Sequence, residues 1–321
     1  MKIVVLDAAT LGFGEGEWAP LREFGELTLH EKTPMDDPAI IAERCAGAQV
    51  VLTNKVPLSQ QTLESLADLQ LVSVLATGYN VVDIDAARRC GVTVCNVAGY
   101  STPSTAQHAV ALMLELCNQC GLHDHTVQAG EWVASDLFCY WKKPVRELSA
   151  MTVGIVGFGE IGRKVGEIVN AFGASVLANQ RTPRNPPAYA PFTFTSIADI
   201  FARSDIVTLH CPQTPENTGF VNAELLATMK PSAFLVNTAR GPLVDEAALA
   251  TALREKRIAG AAVDVVSQEP MVAGHPLLGA PNVIITPHIA WAGVESRRKL
   301  LSLTAENLRA FLGGHPVNVV T

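Results

Sequence analysis

Short apolar runs alternate with helical stretches along most of the chain. Ten runs read as strands: Ile3–Leu6, Val50–Thr53, Leu71–Leu75, Val92–Cys95, Val153–Val156, Ser175–Ala178, Ile206–Leu209, Phe234–Asn237, Ala261–Val263 and Val283–Thr286. They are continuous apolar runs, not apolar/polar alternations, the pattern of strands covered on both faces of a parallel sheet. Between them Asp37–Ala46, Ser59–Ala67, Ile161–Phe172, Ala223–Met229 and Asp245–Glu255 carry helical spacing. A longer helical pattern runs from Thr102 to about Cys120, with Pro103 suited to its first turn, and a last helix spans about Val294–Leu312. Repeated βα units predict an α/β fold with helices on both faces of parallel sheets. Ala129–Ala150 has no period and holds Trp132, Phe138, Tyr140, Trp141 and Pro144; it reads as a seam between domains. The proline-dense stretch Thr182–Pro191 reads as a loop.

At 321 residues the chain is long for one core, which points to two domains. Hydrophobic residues at 48% against 17% charged exclude a disordered chain. The balance of 24 Lys+Arg and 31 Asp+Glu, net −7, argues against a general nucleic-acid or anionic-membrane binder, though not against a local basic site. Seven scattered cysteines, an odd number at low density, suit a reducing compartment, and a cytoplasmic location is expected. The apolar run Ile3–Leu6 is too short for a signal peptide, and no apolar stretch is long enough for a transmembrane helix.

Residues 153–162 read VGIVGFGEIG. A buried strand enters Gly157-x-Gly159-x-x-Gly162, and a helix follows through Glu160 and Ile161. That is the dinucleotide fingerprint in its required context. The first glycine permits the tight turn, the second lets a pyrophosphate approach the backbone, and the third lets helix and strand pack closely. The helix N-terminus adds free N–H groups and a partial positive charge. Gly12-Phe-Gly14-Glu-Gly16 also follows a strand, but it lacks the third-glycine spacing, and Glu15 and Glu17 would repel phosphate; it reads as a surface loop.

The strand at Ser175–Ala178 should end near the adenosine ribose, where an NAD site usually places an acid. This chain has Asn179-Gln180-Arg181-Thr182 there, with Arg184 close behind and no acid between Glu167 and Asp199. Arginine favours a 2′-phosphate, so NADP(H) is expected over NAD(H), which stays as the alternative.

Three later strands run into chemically notable segments: Thr238-Ala239-Arg240-Gly241, Asp264 through Ser267-Gln268-Glu269-Pro270, and Pro287-His288-Ile289-Ala290-Trp291. Strand C-terminal ends are where ligands bind in doubly wound sheets. Reducing a 2-oxo acid needs a hydride donor, a proton donor for the carbonyl oxygen and a cation for the carboxylate. His288 suits the proton, Glu269 would favour the charged imidazole, and Arg240 offers a bidentate fork.

VGFGEIGR, LHCPQTPENTGF, NTARGPLVDEAAL, DVVSQEP and TPHIAW, in this order, resemble the D-2-hydroxyacid dehydrogenase family. The likeness extends upstream through ATGYNVVDIDAARRCGVTVCNV and STPSTAQHAVALML, covering nearly the whole chain. NKVP at 54–57, the FCYW segment at 138–141 and DVVSQEP are most similar to bacterial glycerate dehydrogenases and hydroxypyruvate reductases. The resemblance implies a Rossmann dinucleotide-binding domain, residues 99–289, inserted into a flavodoxin-like substrate-binding domain, residues 1–98 plus 290–321. It implies that Arg240 binds substrate, Glu269 tunes the histidine and His288 is the acid/base. The Ala76-Thr77-Gly78-Tyr79 loop would offer N–H groups to the substrate carboxylate, and Lys55 would lie near the mouth of the cleft. Cys211, Pro212, Thr238, Ala239, Asp264, His288 and Ala290 would border the cofactor. A homodimer through the nucleotide domain is implied, with the long helix and the 130–145 arm at its interface. One departure is Thr105-Ala106-Gln107-His108, where the family often has V-A-E-H; a hinge or dimer contact is the expected consequence. Glu269 itself departs from the related formate dehydrogenases, which carry Gln there.

Two other readings compete. Cys117, Cys120, His123 and His125 have zinc-ligand chemistry, but the two cysteines lie on an apolar helical pattern and the histidines follow too closely; packing is expected and no metal. A dinucleotide-sensing, corepressor-like binding protein, or a D-2-hydroxyacid dehydrogenase of another specificity, shares the same fold expectation.

Overall fold

The computed structural model describes residues 1–321, which form two compact units: Met1–Ser101 with Ala292–Thr321, and Thr102–Trp291. The irregular stretch 129–150 therefore lies inside the second unit, and the expected seam is not there. Its residues take turns, bends and irregular backbone up to a single 3-10 turn at Leu148–Ala150.

The first unit holds strands β1 (Lys2–Val5), β2 (Glu26–Leu29), β3 (Val50–Thr53), β4 (Leu71–Val74) and β5 (Thr93–Cys95). They form one parallel sheet in the order β2-β1-β3-β4-β5. The inner strands β3 and β4 are buried at every position, which explains why their sequences, VVLT and LVSV, are apolar except at Thr53 and Ser73. The final helix Val294–Leu312 belongs to this unit, with Leu300, Leu301, Thr304 and Leu308 buried. Beyond it the Val320 N–H donates to the Val94 carbonyl at 2.8 Å, tying the C-terminal residues to β5.

The second unit holds β6 (Thr152–Val156), β7 (Ser175–Asn179), β8 (Phe192–Phe194), β9 (Ile206–Leu209), β10 (Phe234–Asn237), β11 (Gly260–Val263) and β12 (Val283–Ile285). All pairs are parallel, in the order β12-β11-β10-β9-β6-β7-β8. Side chains alternate between two cores. Val153, Ile155, Val176 and Val236 pack with the helices Thr102–Asn118 and Glu160–Ala171. Val207, Leu209, Leu235 and Val263 pack with Phe201, Leu226 and Leu249 of helices on the opposite face. This is the doubly wound arrangement, and its strand order reverses between β6 and β9.

Two strands depart from the sequence reading. β2 and β8 are edge strands with the sequences ELTL and FTF, apolar and polar in alternation. These two edges are partly exposed and alternate in polarity, so they lack the continuous apolar run that the inner strands and the other edge strand β12 (VII) show. The long helical pattern also ends earlier than expected. Helix Thr102–Asn118 stops at Gln119, whose φ of 51° is left-handed, and a second helix runs Cys120–Gln128. Short helices at Ile84–Arg89 and Ile197–Arg203 carry clear N-caps, Asp83 accepting the Ala86 N–H and Ser196 the Asp199 N–H.

The chain between β6 and the helix Glu160–Ala171 is tightly packed. A Cβ on Gly162 would collide with the Gly157 carbonyl, so this helix lies directly on the strand end. Gly162→Ala is expected to destabilise the second unit by about 2 kcal/mol through overpacking, read from the midpoint of urea denaturation.

Candidate functional site

Gly157 adopts a φ of 96°, and a Cβ there would strike the His210–Cys211 backbone at the end of β9. The turn therefore sits where the strand order reverses. The N–H groups of Gly157 and Phe158 both donate to the Asn179 carbonyl at 3.1 Å, fixing the turn against β7. Apart from its immediate chain neighbours, nothing in the protein lies within 4 Å of where a Cβ on Gly159 would stand, so that face is open. The helix Glu160–Ala171 starts without a side-chain cap. After β10, the buried Thr238 hydroxyl has no hydrogen-bond partner in the protein. An open glycine face, an uncapped helix start and an orphaned hydroxyl fit a phosphate-bearing dinucleotide.

Glu160 and Ile161 open that helix, and Glu160 accepts a hydrogen bond from the Thr102 hydroxyl at 3.3 Å. Gln180 is half-buried after β7, while Arg181, Thr182 and Arg184 are exposed. Sequence reading missed Arg163. Its guanidinium donates to the Asn185 carbonyl at 2.6 Å, the Arg184 carbonyl at 2.8 Å and Gln180 Oε1 at 3.4 Å. It also lies over the Phe158 ring, 4.7 Å from the centroid. One side chain thus braces the whole loop. Cys211 is half-buried and Pro212 exposed. Burial pushes the Cys211 thiol up and the His210 imidazole down to about 3, so both are neutral near the turn.

The second cluster follows from strand register. Asn237 pairs with Val263, and Val263 pairs with Ile285, so the three following segments leave the sheet side by side. Asn237 builds the turn that carries Arg240: its Oδ1 accepts the Ala239 N–H at 3.0 Å, and its Nδ2 donates to the Arg240 carbonyl at 2.8 Å. The Arg240 guanidinium is exposed and donates to the Ala239 carbonyl. Glu269 Oε2 lies 2.6 Å from His288 Nδ1, and its Oε1 accepts the Val266 N–H at 3.1 Å. A carboxylate on Nδ1 makes that nitrogen the donor and leaves Nε2 for chemistry elsewhere.

His288 itself has a φ of 55°, a left-handed conformation unusual for a residue with a side chain. Asp264 holds it there. The His288 N–H donates to the Asp264 carbonyl at 2.7 Å, and the N–H groups of Ile289 and Ala290 donate to its carboxylate at 2.9 and 2.8 Å. The Thr286 hydroxyl donates to the same carboxylate at 2.6 Å, and His108 Nε2 lies 3.4 Å away. Burial pushes the Asp264 carboxyl up, but the hydrogen bonds from His108, Thr286, Ala290 and Ile289 outweigh it and hold the group below its ordinary value. Gln107, next to His108, is exposed.

In the first unit Lys55 is exposed, and its turn rests on Asp7, another residue the sequence reading did not single out. The buried Asp7 carboxylate accepts the N–H groups of Asn54, Lys55 and Val56 at 3.0, 2.6 and 3.3 Å. Burial raises its pKa, against the pull of these three bonds and the Lys55 charge. The only sequence signal was an acid directly after the first strand. The loop Ala76, Thr77, Gly78 and Tyr79 is braced by Asn96, whose Nδ2 donates to the Thr77 carbonyl at 2.7 Å, and by the Val97 N–H on the Ala76 carbonyl at 3.0 Å.

The other glycine-rich segment is not a nucleotide turn. Glu15–Trp18 forms a 3-10 helix and buries Trp18. The Cys117–His125 residues point apart: Cys117 is buried 3.9 Å from the Met151 sulfur, Cys120 is exposed, and His123 bonds the Gln119 carbonyl and the Lys142 N–H. No group of three or more His, Cys, Asp or Glu side chains is placed to hold a metal ion. No helix is long and apolar enough to cross a membrane.

Residues 110–290 match the family model described as D-isomer specific 2-hydroxyacid dehydrogenase, NAD binding domain. The chain is 41% identical to a hydroxypyruvate reductase of Blautia hydrogenotrophica, covering 100% of this chain and 99% of the relative. It is 40% identical to a glycerate dehydrogenase of Methylorubrum extorquens, covering 99% and 98%. Among solved structures, an NADPH-dependent glyoxylate/hydroxypyruvate reductase from Sinorhizobium meliloti, in complex with NADP and malonate, superposes with a TM-score of 0.83 at 29% identity, covering 100% of this chain and 96% of that one. With a family model over more than half its length and full-length relatives above 30% identity, the chain belongs to the D-isomer specific 2-hydroxyacid dehydrogenase family of NAD(P)-dependent oxidoreductases.

Proposed function

We propose that the protein reduces a small 2-oxo acid, hydroxypyruvate or glyoxylate first among candidates, to the D-2-hydroxy acid, with NADP(H) as the preferred cofactor. The observation that carries this reading is the Glu269–His288 pair at 2.6 Å on the strand edge that also bears Arg240. The names of the full-length relatives point to the same substrates.

The second unit is the nucleotide-binding one in this reading. Gly157, Gly159 and Gly162 would hold the pyrophosphate, and Thr238 and Asp264 would border the nicotinamide. The bound dinucleotide supplies the hydride for the substrate carbonyl carbon. His288 Nε2 holds the proton that goes to the carbonyl oxygen, and Glu269 balances the charge of the doubly protonated ring. Arg240 grips the substrate carboxylate and polarises the carbonyl. In the first unit, Lys55 and the backbone N–H groups of Ala76, Thr77 and Gly78 are the proposed substrate-carboxylate contacts. Arg181 and Arg184 favour a 2′-phosphate at a ribose position where this chain has no acid.

The reading also includes a homodimer. The exposed apolar side chains Trp132, Val133, Leu137, Phe138, Trp141 and Val145 crowd into one short arm, and Phe138 is 92% exposed. Such a patch calls for a protein partner, and a second copy meets it with the same patch.

Three outcomes are expected. In steady-state kinetics followed at 340 nm, kcat/KM with NADPH exceeds that with NADH by at least about tenfold, and equality or a preference for NADH rejects the NADP assignment. His288→Asn loses about 100-fold or more of kcat with every 2-oxo acid in the panel, whereas Arg240→Ala chiefly raises KM with a smaller kcat loss. In sedimentation, the wild type runs as a dimer and Phe138→Glu combined with Trp141→Glu runs as a monomer.

A further inference from the structure

Glu246, Ser267 and His275 form a second cluster of chemistry-bearing side chains behind the Glu269–His288 pair. Glu246 is the first residue of the helix Glu246–Arg254, whose N-cap Asp245 accepts the Ala248 N–H. Its carboxylate accepts the Ser267 N–H at 2.7 Å through Oε1 and the Ser267 hydroxyl through Oε2. The buried His275 places Nε2 3.0 Å from the same Oε2. His275 Nδ1 accepts the Leu277 N–H at 3.3 Å, so Nε2 bears the proton and donates to Glu246. The carboxylate, at a helix N-terminus and with three donors, is fully engaged.

What this cluster grips is the peptide between Val266 and Ser267. The same segment ends in Glu269, whose Oε1 returns to the Val266 N–H. The peptide is pinned from a second side as well. A Cβ on Gly241 would collide with Val266 and Ser267 backbone atoms, so the turn that follows Arg240 lies flush on it. Other charged and titratable groups nearby are Arg254, which donates to the Pro276 carbonyl, and Asp264, which braces the backbone at His288 and Ile289 and has His108 beside it.

We propose that Glu246 and His275 are positioning residues: through Ser267 they hold the loop 264–270 so that the Glu269 carboxylate stays on His288 Nδ1. Neither touches His288. Their effect reaches it only through the backbone they fix, as outer hydrogen-bond partners do at other catalytic groups. The inference rests on the role proposed above for the Glu269–His288 pair.

The test uses the full-length protein in two readouts. The first is the downfield proton resonance of the His288 Nδ1–H bonded to Glu269, assigned as the signal that Glu269→Gln abolishes. Glu246→Gln is expected to abolish or broaden it, and Ser267→Ala to weaken it. The second is the alkaline limb of the kcat/KM profile for 2-oxo acid reduction. Glu269→Gln is expected to move that limb to lower pH, since reduction needs the protonated ring and the variant removes the ring's countercharge. Glu246→Gln moves it the same way, and the double variant moves it no further than Glu269→Gln alone. An unchanged resonance in both Glu246→Gln and Ser267→Ala, or limb shifts that add in the double variant, overturns the proposal. Should Glu246→Gln not fold, Ser267→Ala decides, because it removes one hydroxyl from an exposed residue. If Glu269→Gln leaves the limb in place, the proposed role of the pair fails while the resonance still judges the clamp.

Discussion

Every strand pair in both sheets is parallel, and that constraint governs where chemistry appears in this molecule. Parallel pairing sends all strand C-termini of one sheet to one edge. Segments far apart in sequence, after β10, β11 and β12, then emerge as neighbours because their registers match. The helices that return the chain cover both faces, so the inner strands are mostly apolar.

An edge made of loop starts needs holding, and carboxylates do it repeatedly. Asp7 gathers three N–H groups of the 54–56 turn, Asp264 gathers the N–H groups that follow His288, and Glu246 gathers Ser267. Each acid accepts several donors at once, and for the buried ones, the Asn54 and Val56 N–H groups on Asp7 and the Ala290 N–H on Asp264, a missing partner would cost more than the modest net gain of one hydrogen bond. Asp264 and Asp7 divide on how that balance falls. Hydrogen bonds outweigh burial at Asp264 and burial outweighs them at Asp7.

Much of this was legible in the sequence, for physical reasons. Inner strands such as Val50–Thr53 announce themselves by being apolar on both faces, and Gly157 and Gly162 by backbone approaches that no side chain tolerates. Glu269 and His288 were readable as a pair because each follows a strand, and the structure puts them in contact. The strands β2 and β8 were not legible, since these two edges alternate in polarity where the edge strand β12 does not. Nor were the braces. Asp7, Arg163, Asn237, Glu246 and His275 are ordinary polar residues whose function is a hydrogen bond to backbone or to another brace, and no spacing along the chain reports it.

Arg163 grips the loop after β7 largely by the carbonyls of Arg184 and Asn185, with one long contact to Gln180. Those carbonyls belong to every amino acid. The shape of the loop is thus separated from the identity of the side chains at 181, 182 and 184 that it displays. On the proposed reading, in which this loop meets the adenosine ribose, its charge is an exchangeable surface on a fixed frame, and a change of dinucleotide preference needs new side chains there but no new fold.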